Sequence, residues 1–486
     1  CCPGANGSEW DCIAFIGFED GPRRCRSLLK PMPRRLHYRP RPKLRPAAWF
    51  TSTKELQLAS LQFCVACRNV TSLRLSVLPN TPSQLLAATD APPPDGEERC
   101  STRVPRLRAR ALTWEKKSSA ALGRRLYALA DVEVFEFGRG FNSSIAEVLW
   151  PCRLKVLLLG YKFDQPLEGV AWPSSLQTLV FGERFNQTIE GAEWPPSLQT
   201  HKFGMCFNQA VEGVTLPSSL QTLVFGYKFD QPLEGVAWPS SLQTLVFEHD
   251  FDQPLEGVTL PSSLQTLVFG YEFDQPLEGV TLPSSLQTLA FGEQFDRPIE
   301  GVTLPSSLQT LVFGVRLKEG KSIEGVAWPS SFEKLTFYGN FNQAIEGAEW
   351  PSSLQTLVFG HYFHQPLKGV AWPSSLQTLV FGYQFDQPLE GVTLPSSLQT
   401  LVFGHYFNQP LEGVTLPSSL QTLVFGHDFD QPLEGVTLPS SLQTLVFGYV
   451  FDQPLEGVTL PSSLQTLVFG VRLKEGKSIE GVTWPS

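Results

Sequence analysis

From residue 132 onward, apolar residues recur at fixed places in a 22-residue unit, LQTLVFGYKFDQPLEGVTLPSS, represented by Leu220–Ser241 with Ala237-Trp238 in place of Thr-Leu. Positions 1, 4 and 6 give LxxLxF, in which the alternating pair Leu223 and Phe225 points one way from a short strand. Positions 10, 14, 17 and 19 are also apolar. A single unit has no partner surface for seven such side chains, so the pattern predicts stacked coils, each adding one strand to a parallel sheet over a continuous core. Pro at positions 13 and 20, such as Pro232 and Pro239, removes two backbone donors per unit and excludes a regular helix on the return path. The expected fold is mainly β: a leucine-rich-repeat-like solenoid with an irregular back. It should be flatter than a helix-backed horseshoe and roughly 70 Å long at about 4.8 Å per step.

The Phe at position 10 marks the period, at Phe141, Phe163, Phe185, Phe207, Phe229, Phe251, Phe273 and Phe295, and again from Phe341 through Phe363, Phe385, Phe407 and Phe429 to Phe451. Leu317 and Leu473 fill the two gaps, each followed by a two-residue insertion, which makes about sixteen units. The segment VRLKEGKSIEGV begins at both Val315 and Val471, so a whole block has been copied.

The unit LPSSLQTLxFGxxFNQPxEG resembles the FNIP repeat, a short relative of the leucine-rich repeat. Asn186, Asn208, Asn342 and Asn408 keep the family's Asn, whereas Asp164, Asp230, Asp252, Asp274, Asp296, Asp386, Asp430 and Asp452 depart from it, and Leu often replaces Ile. The resemblance implies an interaction scaffold, in some members joined to an F-box or a kinase domain. Neither pattern is present in residues 1–131, so a role as a substrate-recognition arm is implied by analogy alone.

Among nearly identical units, positions 8 and 9 change most. The candidate partner-binding residues drawn from them are Tyr161, Lys162, Tyr227, Lys228, Tyr271, Glu272, His361, Tyr362, Tyr383, His405, Tyr406, His427, Asp428 and Tyr449. Tyr presents a large contact area for little rotamer loss, which suits a contact row on a regular frame. The competing explanation is drift at exposed positions. A Glu column at position 15, broken by Lys368, predicts either side chains splayed into solvent or bridging cations, with the position-11 carboxylates as further oxygen ligands for calcium. His405, His427 and Asp428 lie close enough for a surface metal, but exposed imidazoles are the favoured reading and no metal or cofactor is expected. His201 and Glu248 interrupt the Leu and Gly columns as local defects. No nucleophile, base and orienting residue recur together, so no catalytic residue is assigned.

Charge separates the array from what precedes it. Residues 1–131 carry a net +11 and the remainder a net −20, which suggests an arm for polyanions or an intramolecular electrostatic contact. With no groove-reading fold beside the basic run, nucleic acid is not the expected partner. The expected organisation is a basic, Pro/Arg-rich, largely disordered region at 1–53, short strands or degenerate repeats at 54–78, a linker at 79–117, a capping helix at 118–131 and the solenoid at 132–486, cut short at its C-terminus. Seven of nine cysteines precede the array, so no disulfide framework is expected to hold it. Cys64 and Cys67 form one CxxC without a second pair, too little for a four-ligand zinc site. Sequons at Asn6, Asn69, Asn142 and Asn186 bear on secretion only. No apolar run approaches the ~20 residues of a membrane-spanning helix.

The function expected from the residues is a non-enzymatic, monomeric, cytoplasmic scaffold that binds a protein through its strand face, with an uncapped end prone to aggregate and a start that looks incomplete. The alternative is a structural or surface protein whose Tyr161, Tyr227, Tyr271, Tyr383 and Tyr449 stack on a polysaccharide.

Overall fold

The computed structural model describes residues 73–75, 111–114, 131–314 and 326–470. Each unit of the array supplies one strand, from β3 (Val134–Phe137) through β7 (Thr222–Phe225) and β8 (Thr244–Phe247) to β18 (Thr466–Val468), sixteen in all. Every strand pairs in parallel with its neighbours in sequence and in register, so that Leu223, Leu245 and Leu267 fall in one row. Among the described residues, two strands precede the array. β1 (Leu73–Leu75) pairs with β2 (Ala111–Trp114), which pairs with β3. β2 lies inside the span expected as a linker, 79–117, where Leu112 and Trp114 repeat the Leu-x-aromatic order of the later strands. The expected capping helix falls outside the described residues, apart from Asp131.

Strands occupy only positions 3 to 6, and β-turns close the described coils. In Leu220–Ser241 the first turn returns the Phe229 N–H to the Gly226 carbonyl (3.2 Å) and the second the Val236 N–H to that of Leu233 (3.3 Å). Gly235 in the second turn has φ +72°, the conformation a type II turn demands at its third residue. The third turn starts at Pro239, whose carbonyl accepts from Leu242 at 3.1 Å. Proline thus serves the turns and keeps the back irregular. No helix occurs among the described residues.

All seven apolar positions face inward. In the coil from 242 to 263, Leu242, Leu245, Phe247, Phe251, Leu255, Val258 and Leu260 are all buried. Phe at positions 6 and 10 stack within a coil, as Phe247 and Phe251 do at 4.0 Å, and again between coils. Each buried Phe contributes about 1.5–3 kcal/mol of transfer free energy.

The step between coils is unequal across the section. Neighbouring strands in sheets lie about 4.7–4.9 Å apart. Like rings step by 5.4 Å at Phe203–Phe225 to 5.9 Å at Phe247–Phe269 in position 6, 6.0 Å at Phe185–Phe207 in position 10 and 6.4 Å at Trp150–Trp172 in position 19. The stack therefore fans outward from the strands, which puts the strand face on the inside of a curve rather than on a flat slab.

Polar ladders run beside the core. Asp230 Oδ1 accepts the Asp252 backbone N–H at 3.0 Å and Gln253 Nε2 at 2.9 Å, and Asn208 Oδ1 serves Asp230 and Gln231 alike. Only one acceptor oxygen is needed, which is why Asp substitutes for Asn in this column. Ser at position 22 donates to the carbonyl of the residue that opens its unit, Ser219 to Leu198 at 2.7 Å for example. Cys206 is a free thiol and Cys152 is disulfide-bonded.

Candidate functional site

In most coils a position-7 glycine follows the strand because the chain passes directly over the coil before it. A Cβ on Gly404 would lie 1.7 Å from the Gly382 carbonyl oxygen. The next two residues then turn outward beyond the end of the strand. Their backbone is held by the coil before, as in Asp428 N–H to the His405 carbonyl at 2.8 Å. None of the fourteen residues singled out at positions 8 and 9 is buried. They form one row, at the rim of the concave strand face.

Within that row the 22-residue period brings the rings at position 8 into contact, most of them near parallel. His361, Tyr383, His405, His427 and Tyr449 make a continuous stack with centroid steps of 4.6, 4.4, 4.4 and 5.0 Å. Tyr227, His249 and Tyr271 make a shorter one at 3.8 and 4.9 Å. Tyr161 is instead flanked by the guanidinium groups of Arg139 and Arg184, 5.2 and 5.9 Å from its ring centre. The Tyr383 hydroxyl donates a hydrogen bond to Tyr406, which, with lesser burial and charge effects, raises its pKa above the ordinary tyrosine value. Lys162, Lys228 and Glu272 are exposed beside these rings.

A groove of about 730 Å³ opens next to the long stack. Tyr362 and Tyr406, 43% and 44% exposed, stand on its wall with Asp386 and Asp428. Asn342, His364, Gln384 and Asn408 complete the lining. The position-11 members were missed as site residues in the sequence, although positions 9 and 11 flank an inward Phe and so share an outer face. His364 also interrupts the Asn/Asp ladder: its Nδ1–H donates to the Gln384 carbonyl at 2.9 Å, and its Nε2 accepts from Gln387 at 2.7 Å.

The two interruptions noted in the sequence have structural causes. His201 fills the Leu position of its coil, fully buried between Phe181 and Phe203, and burial lowers its pKa to about 3 against a smaller opposing effect of its bond to the Leu179 carbonyl. Glu248 takes the glycine position, and its N–H extends the ladder to the Phe225 carbonyl (3.2 Å) while its carboxylate meets Lys202 at 2.5 Å. Tyr338 does the same toward Phe313 at 2.6 Å. The described position-15 glutamates are exposed and one oxygen of the position-11 side chains already accepts amide donors, as Asp252 Oδ1 does, so the two columns do not converge on a calcium cage.

A parallel β-solenoid with Leu at positions 1 and 4, a strand on the inner face and variable residues at its rim defines a leucine-rich-repeat-like protein. The model of the FNIP Repeat matches residues 163–206, 207–250, 251–294, 341–384, 385–428 and 429–472, together more than half of the chain. The chain belongs to the FNIP repeat family.

Among solved structures, CroV588, described as a novel circular LRR protein, is similar at 36% identity with a TM-score of 0.55, covering 75% of this chain and 55% of that one. The present chain thus spans about half of its length. The pneumococcal vaccine antigen PcpA (13% identity, TM-score 0.23, 78% of each chain) and the Leptospira interrogans LRR protein LIC12759 (13%, 0.30, 67% of this chain and 85% of that one) are more distant likenesses. No curated protein matches the chain.

Proposed function

We propose that this chain is a non-enzymatic scaffold that binds another protein along its concave strand face, with positions 8 and 9 as the variable contacts. The observation that carries this reading is the groove beside the long ring stack, where Tyr362 and Tyr406 stand exposed next to Asp386 and Asp428. Aromatic faces and carboxylates together suit a partner segment bearing Lys or Arg, through cation–π and charge-assisted contacts. Polysaccharide stacking is less favoured because Tyr271 and Tyr383 already lie against histidine rings.

Affinity capture from cell lysate with the full chain, compared with a Tyr362→Ala/Tyr406→Ala variant, tests the proposal. Partners held by the wild type and released by the variant support it. Unchanged capture together with binding on a glycan array would overturn it.

A further inference from the structure

Two coils, 398–419 and 420–441, bring three metal-ligating side chains together in a way no other described pair of coils repeats. His405 and His427 occupy position 8 of each, their rings stacked at 4.4 Å and 11°. Asp428 follows at position 9, and its backbone N–H is tied to the His405 carbonyl at 2.8 Å, which fixes the carboxylate beside both rings. Asp428 Oδ1 is 2.5 Å from His427 Nδ1 and 3.7 Å from His405 Nδ1. One ligand atom from each residue falls within 4.8 Å of the others. His405 Nδ1 is enclosed by protein and has no hydrogen-bond partner, an arrangement that is costly unless something occupies the nitrogen.

We propose that His405, His427 and Asp428 form a binding site for a divalent late transition metal, zinc in the first instance. Two imidazole nitrogens and one carboxylate oxygen are a ligand set that zinc accepts, with a fourth position left to water or to a group from a bound partner. Calcium and magnesium prefer more oxygen ligands than this cluster offers. Around zinc, with bonds of about 2.0–2.1 Å, tetrahedral ligand atoms lie roughly 3.3 Å apart, so the cluster must contract and one ring must turn out of the stack. Both histidines sit in the 7–10 turn, outside the strand, where side-chain rotation leaves the sheet ladder intact.

The molecule carries its own comparison. His249 and Asp250 repeat the His427–Asp428 pair, with Nδ1 and Oδ1 at 2.6 Å. The coil before them has Tyr227 in place of His405, and its hydroxyl sits 3.0 Å from His249 Nε2. That pair has two ligands and no third. The proposed site therefore arises only where a His-Tyr coil meets a His-Asp coil.

The test is titration of the full chain with zinc chloride by calorimetry, and with cobalt(II) by absorption, for the wild type, His405→Tyr and Asp428→Asn. His405→Tyr rebuilds the arrangement already present at Tyr227 and His249, and an unchanged circular dichroism spectrum verifies the fold. The expected result is one saturable site whose affinity falls in His405→Tyr by more than the roughly 10–100-fold that loss of an outer contact costs, with a weaker cobalt spectrum in both variants. Cysteine sites elsewhere in the chain are distinguished by sulfur-to-cobalt bands, which neither variant changes. Equal zinc affinity in all three folded chains, or no saturable binding in the wild type, would overturn the proposal.

Discussion

His201 Nδ1 lies 3.0 Å from the carbonyl oxygen of Leu179, the residue one coil earlier in the same core column. The carbonyl only accepts, so Nδ1 carries the proton and the buried Nε2 is left without a partner. With a folded pKa of about 3 against 6.5 for the ordinary imidazole, the ring is neutral in the folded chain. Its contribution is complete above pH 6.5 and is lost as the pH falls from there toward 3, by about 1.4 kcal/mol per pH unit. His201→Leu removes that dependence. Denaturation at pH 7 and pH 5 should show the variant gaining about 2 kcal/mol on the wild type over that interval; parallel losses in both chains would contradict a buried neutral histidine.

The two glycine columns should respond to alanine differently. At Gly413 nothing lies within 4 Å of the added carbon, and the cost is that of φ +73° alone, about 1–2 kcal/mol. At Gly404 the added carbon meets the Gly382 carbonyl. Thermal melts should place Gly404→Ala well below Gly413→Ala, and the reverse order would show that backbone approach is not what selects glycine there.

Acceptor chemistry, not charge, should govern the position-11 ladder. Asp230→Asn keeps the oxygen that serves Asp252 and Gln253, and should leave the melting temperature close to that of the wild type. Asp230→Ala strands the donors of both residues, at about 1–3 kcal/mol. Equal melts for the two variants would remove the ladder from the account of stability.

Calcium should not stabilise the array. The described position-15 glutamates are exposed to solvent, and Asp252 Oδ1 is engaged by Asp274 and Gln275. Melting curves with added calcium and with a chelator should coincide, and a rise with calcium would show that the columns rearrange around the ion.

Much of this architecture was legible because a 22-residue period leaves little freedom: Leu223 and Phe225 had to face inward, and Pro232 and Pro239 excluded a helical back. The curvature was not legible, since it follows from the packing widths of Phe and Trp against strands whose spacing is set by backbone hydrogen bonds. The residue types at positions 8 and 9 were readable, and their exposure follows from the turn that carries them. Their mutual stacking was less obvious, because it depends on which coil follows which. Identical His-Asp pairs at His249 and His427 end beside Tyr227 in one case and His405 in the other. Glu248 and Tyr338 read as breaks in a glycine column, whereas the backbone accommodates each by lengthening the ladder one residue.

The amide ladder at position 11 gives each rung a single obligation, to the rung that follows it. Excising or inserting a whole number of units therefore leaves every surviving bond a lawful partner, while changing which rings become neighbours along the rim. Length and rim pattern are thus free to vary together under recombination, and the segment that begins at Val315 recurs at Val471 in that manner.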